Sequence, residues 1–250
     1  ALLHASLWGN RADLSNFTVR EQAVGDGVAD RGHILIDHTD AIWQLLHADG
    51  GTPSVAFVSD NVGADSLFDL ALGGFLLDQG WAERVTLHLK DRPFFVSDAM
   101  PGDIEQMIRK LRGCPYAGLA VLGTQLSDAL ASDSLCLVTD PFWSRSLCFE
   151  DMPEPLRVQV GSADLIFVKG DVNYRRLLGD RQWPHTTPLE SLCKRFPRPF
   201  VALRTLKGEI MAGLKPGEAE DLATLDPEWL INGKRGIIHL VERDGNRAVA

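Results

Sequence analysis

The chain alternates between short apolar runs and longer segments with helical periodicity. Apolar runs bounded by polar residues occur at positions 54–59, 85–89, 135–139, 164–168 and 200–203, and a further run at 236–241 is a candidate sixth strand. Runs of this length without internal polar alternation are typical of strands buried on both faces, as in a parallel sheet. They predict a mostly parallel central sheet.

Helical patterns fill most of the intervals between these runs. They cover positions 66–79, 101–111, 117–131 and 188–196, and the second has Pro101 at its start and Gly113 just beyond its end. Strand and helix therefore alternate, which predicts an α/β fold built as a three-layer α/β/α sandwich. We expect a single domain over residues 1–250. Within the first fifty residues, positions 40–48 look helical, whereas the stretch before them is polar and predicts a loop.

Composition narrows the class of protein. The chain has 250 residues, of which 45% are hydrophobic and 24% charged, as in ordinary globular proteins. Its formal net charge of −9 opposes general binding to nucleic acid or to an anionic membrane, and the apolar runs have the length of strands. The sequence begins without a Met and shows no secretory signal. Four cysteines without C-x-x-C spacing indicate reduced thiols and a cytoplasmic protein, and the histidine spacing argues against zinc.

Charged and amide side chains follow the predicted strands. Ligands of open parallel sheets bind at the carboxyl ends of the strands, so these residues are expected to share one edge. They comprise Asp60 and Asn61, Lys90 and Asp91 with Asp98 beyond, Asp140, the segment 169–175, and Arg204 with Lys207. Acids from the early strands beside bases from the later ones suit a divalent cation next to a small anion.

Each of these residues also has an ordinary structural interpretation. Asp60 and Asp98 precede predicted helices and could be N-caps. Positions 169–171 could form a turn, positions 175–176 a solvated helix face, and positions 204–207 a surface loop. Their joint placement at strand ends favours the functional interpretation.

Several common site motifs are absent. There is no Walker phosphate loop and no G-x-S-x-G sequence, and Gly25-Asp26-Gly27 follows no predicted strand. A D-x-D phosphatase loop would require an acid at Val62.

Several longer motifs together resemble one family. They lie in family order at positions 6–15, 60–63, 95–98, 141–143, 167–177 and 204–207. The sequence resembles the metal-dependent damage-control phosphatases over about residues 7–241, in the subfamily marked by an Arg-Thr-x-Lys motif, here residues 204–207. Members of that family carry a helical region before the 6–15 motif. The resemblance therefore implies that residues 1–50 are the remnant of a larger helical region.

The resemblance also implies a site and an activity. It implies a metal bound by Asp60, Asn61 and Asp98, and hydrolysis of sugar phosphates such as fructose 1-phosphate in metabolite damage control. A protein-glutamate methyltransferase activity has also been ascribed to the family. Substrate contacts are implied for Asp60, Asn61, Asp171, Val172, Asn173, Tyr174, Arg175 and Lys207.

The chemical character of these side chains indicates a role for each of them in catalysis. An oxygen-only site suits a hard divalent cation, with Mn²⁺ expected first and Co²⁺, Ni²⁺ or Mg²⁺ as alternatives. The cation would activate a water or position Asp60 for attack, and Asp171 is a candidate proton donor to the leaving oxygen. Because no lysine is assigned to neutralise Asp60 and Asp98, strict metal dependence is expected.

The remaining candidates would contact the substrate, a small phosphorylated sugar. Lys207 and Arg175 would neutralise its phosphate, and Asp171 and Asn173 would hydrogen-bond its hydroxyls. Asn10 is a candidate for the pocket wall. No nucleic acid or membrane partner is expected.

Two alternative functions stay open. The first is an S-adenosylmethionine-dependent protein-glutamate O-methyltransferase. Such an enzyme would be expected to have a glycine-rich turn after the first predicted strand. Gly63 is the only glycine there, which counts against it. The second is a non-catalytic sugar-phosphate-binding module, which would bind without turnover.

Overall fold

The computed structural model describes residues 1–9, 31–47, 51–197 and 199–242. In chain order, the helices and strands of these parts are α1 (Leu2–Gly9), β1 (Ile34–Asp37), α2 (Thr39–His47), β2 (Ser54–Val58), α3 (Ala64–Asp78), β3 (Arg84–Leu89), α4 (Pro101–Arg112), α5 (Ala117–Ala131), β4 (Leu135–Thr139), α6 (Glu154–Val160), β5 (Leu165–Lys169), α7 (Gly170–Leu177), α8 (Leu189–Leu192), β6 (Phe200–Thr205), α9 (Glu218–Leu225) and β7 (Gly236–Val241).

The strands form a seven-stranded sheet in the order β1-β7-β6-β5-β2-β3-β4. Strands β2 to β6 pair in parallel, whereas β7 is antiparallel to β6 and β1 is parallel to β7. The predicted mostly parallel sheet is therefore confirmed, and the candidate strand at 236–241 is its antiparallel member. The carboxyl ends of β2, β3, β5 and β6 lie along one edge.

Side-chain alternation along the central strands divides the core into two layers. Val55 and Phe57 of β2 pack on the face covered by α1 to α5, and Ala56 and Val58 pack on the face covered by α6 to α9. Because both faces are covered, strands such as β5 are buried at every position. The α/β/α sandwich is confirmed, and this double burial explains why the strands read as continuous apolar runs.

The N-terminal region differs from the expectation. Positions 34–37, expected to be loop, form the edge strand β1, and the chain begins with helix α1. Residues 3–9 of α1 are buried on every side, so the helix has no polar face and shows little 3.6-residue periodicity. A second difference concerns α8, which ends at Leu192 instead of extending to position 196; Pro197 and Pro199 follow soon after.

The structure also bears on the state of the cysteines and on whether a helix could cross a membrane. Cys114, Cys136, Cys148 and Cys193 are free thiols. Among the helices that the structure describes, none combines the length and apolarity needed to cross a bilayer.

Candidate functional site

The turn after β2 contacts the loop after β3. An isolated antiparallel bridge joins Asn61 to Asp98, and the Val62 amide donates to the Ser97 carbonyl at 2.8 Å. Asn61 Nδ2 donates to Asp60 Oδ2 at 2.8 Å, and Asn61 Oδ1 accepts from Ser97 Oγ at 2.7 Å. Asp60, Asn61 and Asp98 are all buried. The structure thus brings the three predicted metal ligands together.

Asp98 also pairs with a lysine, contrary to the expectation from sequence. Its Oδ1 lies 3.3 Å from Lys90 Nζ, and both side chains are buried. Its Oδ2 accepts the backbone amides of Phe94 and Phe95, each at 2.7 Å. The prediction that no lysine would neutralise the two acids is therefore wrong for Asp98. The strand-end rule selects Lys90, which directly follows β3, but it does not show that Lys90 pairs with Asp98.

Neither acid is an N-cap of the following helix. Gly63 is the N-cap of α3 and makes no side-chain capping bond, and at the start of α4 the Met100 amide donates to Asp103 Oδ2 at 3.1 Å. The capping interpretation of Asp60 and Asp98 is therefore excluded.

Asp60 lies directly against the start of α7. A Cβ placed on Gly170 would come 1.8 Å from Asp60 Oδ2, and Gly170 has φ +82°, a conformation that side chains disfavour. Only a glycine lets the backbone approach the carboxylate this closely. The segment 169–171 is therefore the junction of β5 and α7, not a free turn.

Asp171 and Arg204 form a buried ion pair next to this junction. Arg204 Nε donates to Asp171 Oδ1 at 2.7 Å, and Arg204 is fully buried. The guanidinium also donates to the carbonyls of Gly208 and Ile210 and lies 4.3 Å from the Tyr174 ring centroid. Arg204 is therefore not a surface charge. The pair favours Asp171 as a hydrogen-bond acceptor, whereas its predicted role as proton donor stays a prediction.

The predicted substrate segment forms the first turns of α7. Asn173 Nδ2 donates to the carbonyls of Lys169 at 2.9 Å and Ser59 at 3.1 Å, which joins the ends of β5 and β2. Its Oδ1 is buried and accepts no hydrogen bond from the described residues. Val172 is half-buried. The Tyr174 side chain is fully buried, and burial raises its pKa to about 12. Its ring packs against the Arg204 guanidinium inside the core.

The two arginines at the end of α7 have different environments. Arg175 is half-exposed and pairs with Asp180 at 2.8 Å, and the hydrogen bond from this pair raises the pKa of Arg175. Arg176 is buried and donates to the carbonyls of Phe142, Trp143 and Leu147, and burial lowers its pKa to about 10. A solvated helix face is therefore the wrong interpretation for Arg176.

Lys207 and Asn10 are the last two predicted substrate contacts. Lys207 is half-buried, and its backbone amide donates to Asp171 Oδ1 at 3.4 Å, which places it beside the ion pair. Asn10 lies outside the described residues.

A second group of charges, which we call the buried ionic cluster, lies under the Asp60–Asn61 turn. It consists of Ser6, Asp65, Asp69 and Lys169. Lys169 Nζ lies 3.0 Å from Asp65 Oδ1 and 2.6 Å from Asp69 Oδ1, and it donates to Ser6 Oγ at 2.7 Å. Sequence reasoning missed this cluster because Asp65 and Asp69 look like ordinary helix residues.

Burial controls the protonation of the cluster. Desolvation of Asp69, opposed by Lys169 and reinforced by Asp65, raises its pKa to about 7. Burial would lower the pKa of Lys169, but Asp65 and Asp69 outweigh it and raise that pKa. The lysine therefore stays charged, and Asp69 holds a proton more tightly than an exposed aspartate.

The donor set at the edge of the sheet fits a hard divalent cation. Among the described residues, no three His, Cys, Asp or Glu side chains are grouped as metal ligands. Asp60 and Asn61 nevertheless contact each other through their side chains, Asn61 pairs with Asp98 through the backbone, and carboxylate and amide oxygens suit Mg²⁺ or Mn²⁺. These three residues could hold the cation, with Lys90 beside it.

Comparison with known proteins identifies the family. The profile of the damage-control phosphatase ARMT1-like domain matches residues 1–222. The chain belongs to this family. Relatives named damage-control phosphatase ARMT1 include that of Danio rerio, 34% identical over 95% of this chain and 56% of its own length, and that of Homo sapiens, 32% identical over 94% and 57%. The ARMT1-like chain thus spans somewhat more than half the length of these relatives.

A solved structure supports the fold of the ARMT1-like domain. A DUF89 family protein from Pyrococcus horikoshii matches with a TM-score of 0.51 and 15% identity, over 96% of this chain and 64% of its own. At that identity the match bears on the fold alone.

Proposed function

We propose that this ARMT1-like domain is a metal-dependent phosphatase that hydrolyses small sugar phosphates of the fructose 1-phosphate kind. The observation that carries the proposal is the contact of Asn61 with both Asp60 and Asp98, beside the buried Lys90. Oxygen ligands and a fixed ammonium group at one point suit a phosphate ester that binds together with a cation. The names of the relatives support a phosphatase of the damage-control kind.

Asp60, Asn61 and Asp98 would hold the cation, with Mn²⁺ as the expected metal. When bound, it supplies positive charge that stabilises the negative charge developing on the phosphoryl oxygens.

The remaining charges of the edge would bind and orient the ester. Lys90 and Lys207 supply ammonium groups for the phosphate oxygens. Asp171, fixed by Arg204, accepts a hydrogen bond from a sugar hydroxyl, and Asn173 Oδ1 is a second acceptor at the same junction. Asp60 would attack the phosphorus or orient the attacking water. An acid-quenched reaction analysed for phosphorylated Asp60 by mass spectrometry decides between these two.

The test is phosphate release from a panel of sugar phosphates that includes fructose 1-phosphate. We expect turnover with Mn²⁺, loss of turnover with a chelator, and recovery when Mn²⁺ is returned. Asp60→Asn should fold and lose nearly all turnover, because it removes a ligand charge and keeps the side-chain shape. Asp164→Asn is the matched control, since Asp164 accepts from Ser54 at the opposite end of the strands.

Three outcomes would contradict the proposal. Turnover that survives metal removal would exclude the cation site, and binding of a sugar phosphate without turnover would favour a non-catalytic module. Methyl transfer from S-adenosylmethionine to protein glutamate, without phosphate release, would favour the methyltransferase.

A further inference from the structure

The first turn of α3 holds the Asn61 backbone from both sides. Asp65 Oδ2 accepts the Asn61 amide at 3.3 Å, and Ser66 Oγ donates to the Asn61 carbonyl. All three residues are buried. The peptide units around a candidate metal ligand are therefore fixed by side chains from the helix that follows.

Asp65 is also the link between this turn and the buried ionic cluster. Its Oδ1 lies 3.0 Å from Lys169 Nζ, while its Oδ2 is directed to the Asn61 amide. Lys169 in turn directly precedes Gly170, whose backbone lies against Asp60. One carboxylate thus connects the end of β5 to the turn after β2.

The charge balance of the cluster separates Asp65 from Asp69. Two carboxylates share one ammonium group in a fully buried environment, where unbalanced charge is costly. Asp69 makes the shorter contact with Lys169, 2.6 Å, and also accepts from Ser6 Oγ at 2.5 Å. Lys169 can balance the charge of only one carboxylate, and Asp69 keeps its contacts with Lys169 and Ser6 when the charge of Asp65 is removed, so we expect Asp65→Asn to fold.

We propose that Asp65 is a positioning residue for the cation site. Its carboxylate, oriented by Lys169, fixes the Asn61 backbone so that the Asp60 and Asn61 side chains face the cation. The inference rests on the proposed function, because the cation is the one proposed to bind there. Groups that orient metal ligands typically contribute a factor of about 10–100 to metal affinity.

The test measures Mn²⁺ affinity by calorimetry on metal-stripped protein without substrate. Asp65→Asn should weaken Mn²⁺ binding by about 10–100-fold and leave the unfolding midpoint at or above that of the wild type. Asp69→Asn is the matched control, because it makes the same charge change beside Lys169, one turn along α3, without a contact to Asn61. It should bind Mn²⁺ like the wild type.

A second variant covers the case in which Asp65→Asn fails to fold. Ser66→Ala changes no charge and removes the side-chain contact to the Asn61 carbonyl, so it should weaken Mn²⁺ binding by a smaller factor. Wild-type affinity in every folded variant at positions 65 and 66 would overturn the inference. Equal weakening by Asp69→Asn would also overturn it, since the cluster charge and not the contact to Asn61 would be responsible.

The two proposals fail in different ways. If the wild type does not bind Mn²⁺, the proposed function fails and the positioning role falls with it. If the wild type binds Mn²⁺ and Asp65→Asn binds as tightly, only the positioning role fails.

Discussion

At the carboxyl edge of the sheet, some positions require a particular backbone conformation as strictly as others require a particular functional group. Gly170 is the clearest case, because its missing side chain leaves the space that Asp60 Oδ2 occupies. Its positive φ lets α7 begin immediately after β5, which brings Asp171 to the edge. The chemistry of two acids therefore depends on a residue with no functional group.

Gly170→Ala should lower kcat/KM by about 10²-fold, because a ligand displaced by about 1 Å loses that much. Steady-state kinetics on the best sugar phosphate, beside an unfolding curve, measures both effects. Gly217→Ala is the control, since Gly217 has φ +86° and open space around its Cβ. It imposes the same backbone strain without a clash and should keep wild-type kcat/KM. Equal losses in the two variants would assign the effect to strain alone.

A substitution of Lys207 tests the proposed contact between this side chain and the phosphate of the substrate. Lys207→Met keeps most of the side-chain volume and removes the ammonium group, so kcat/KM should fall by about 10²–10³ while Mn²⁺ affinity is retained. Lys215→Met makes the same change at an exposed position and should have no effect on kcat/KM. An unchanged kcat/KM in Lys207→Met would remove Lys207 from the site, and a loss of Mn²⁺ binding would give it a different role.

Among the elements, helix α7 connects the site to the rest of the domain. Its first turn carries Asp171 and Asn173, and its last turn carries Arg176, whose guanidinium packs over the rings of Phe142 and Phe149 at 4.9 and 5.0 Å. Arg176 thereby anchors the segment that follows β4. This packing gives positions 142 and 143 of the family motif a structural role.

Arg176→Met should destabilise the domain by about 3 kcal/mol, because carbonyl groups that now accept from a charged donor lose their partner. Urea unfolding measures the change. Arg175→Met is the control, since the neighbouring arginine makes an exposed ion pair with Asp180, and its loss should cost less than about 1 kcal/mol. Similar losses for both arginines would contradict the anchoring role.

Across the whole molecule, buried positive charge is concentrated near one sheet edge. The net charge is −9, yet the buried lysines and arginines of the described residues are Lys90, Lys169, Arg176 and Arg204. Each lies at or after the end of a strand, or on the helix that follows it. The same edge also carries the buried aspartates Asp60, Asp65, Asp69, Asp98 and Asp171, so the proposed phosphate site would depend on the bound cation as well as on the buried lysines.

The buried ionic cluster predicts how stability depends on pH. The pKa of Asp69 rises from its ordinary 3.8 to about 7 on folding, mainly because of burial. Between these values the folded state binds the extra proton, so the contribution of Asp69 to stability is complete below pH 3.8 and is lost as the pH rises through about 7. One proton limits the slope to about 1.4 kcal/mol per pH unit.

Asp69→Asn removes this titration. Urea unfolding of both proteins between pH 5 and pH 8 should show the stability of the variant rising relative to the wild type as the pH increases. Comparing the two proteins cancels the contributions of other titrating groups. A constant difference across this range would contradict the raised pKa.

The local sequence pattern determined the central sheet and the elements that cover it. Strands buried on both faces must be apolar throughout, so β2, β3, β4, β5 and β6 were recognisable, and helices such as α4 carried their own start and stop residues. The strand-end rule then selected Asp60, Asn61, Asp98 and Asp171 because parallel strands place their carboxyl ends together. These features depend on residues that are close together in the chain, so a single sequence is enough to predict them.

Tertiary structure decided what depends on distant partners. Helix α1 and strand β1 carry weak patterns, because one is buried all round and the other is a short edge strand. The sequence alone does not show whether a lysine or an arginine is solvated or buried. The pairing of Lys90, Arg204 and Lys169 with Asp98, Asp171 and Asp69 in the folded chain shows that these three are buried. Burial and long-range contact set the energy of a charge, and neither is a property of its neighbours in sequence.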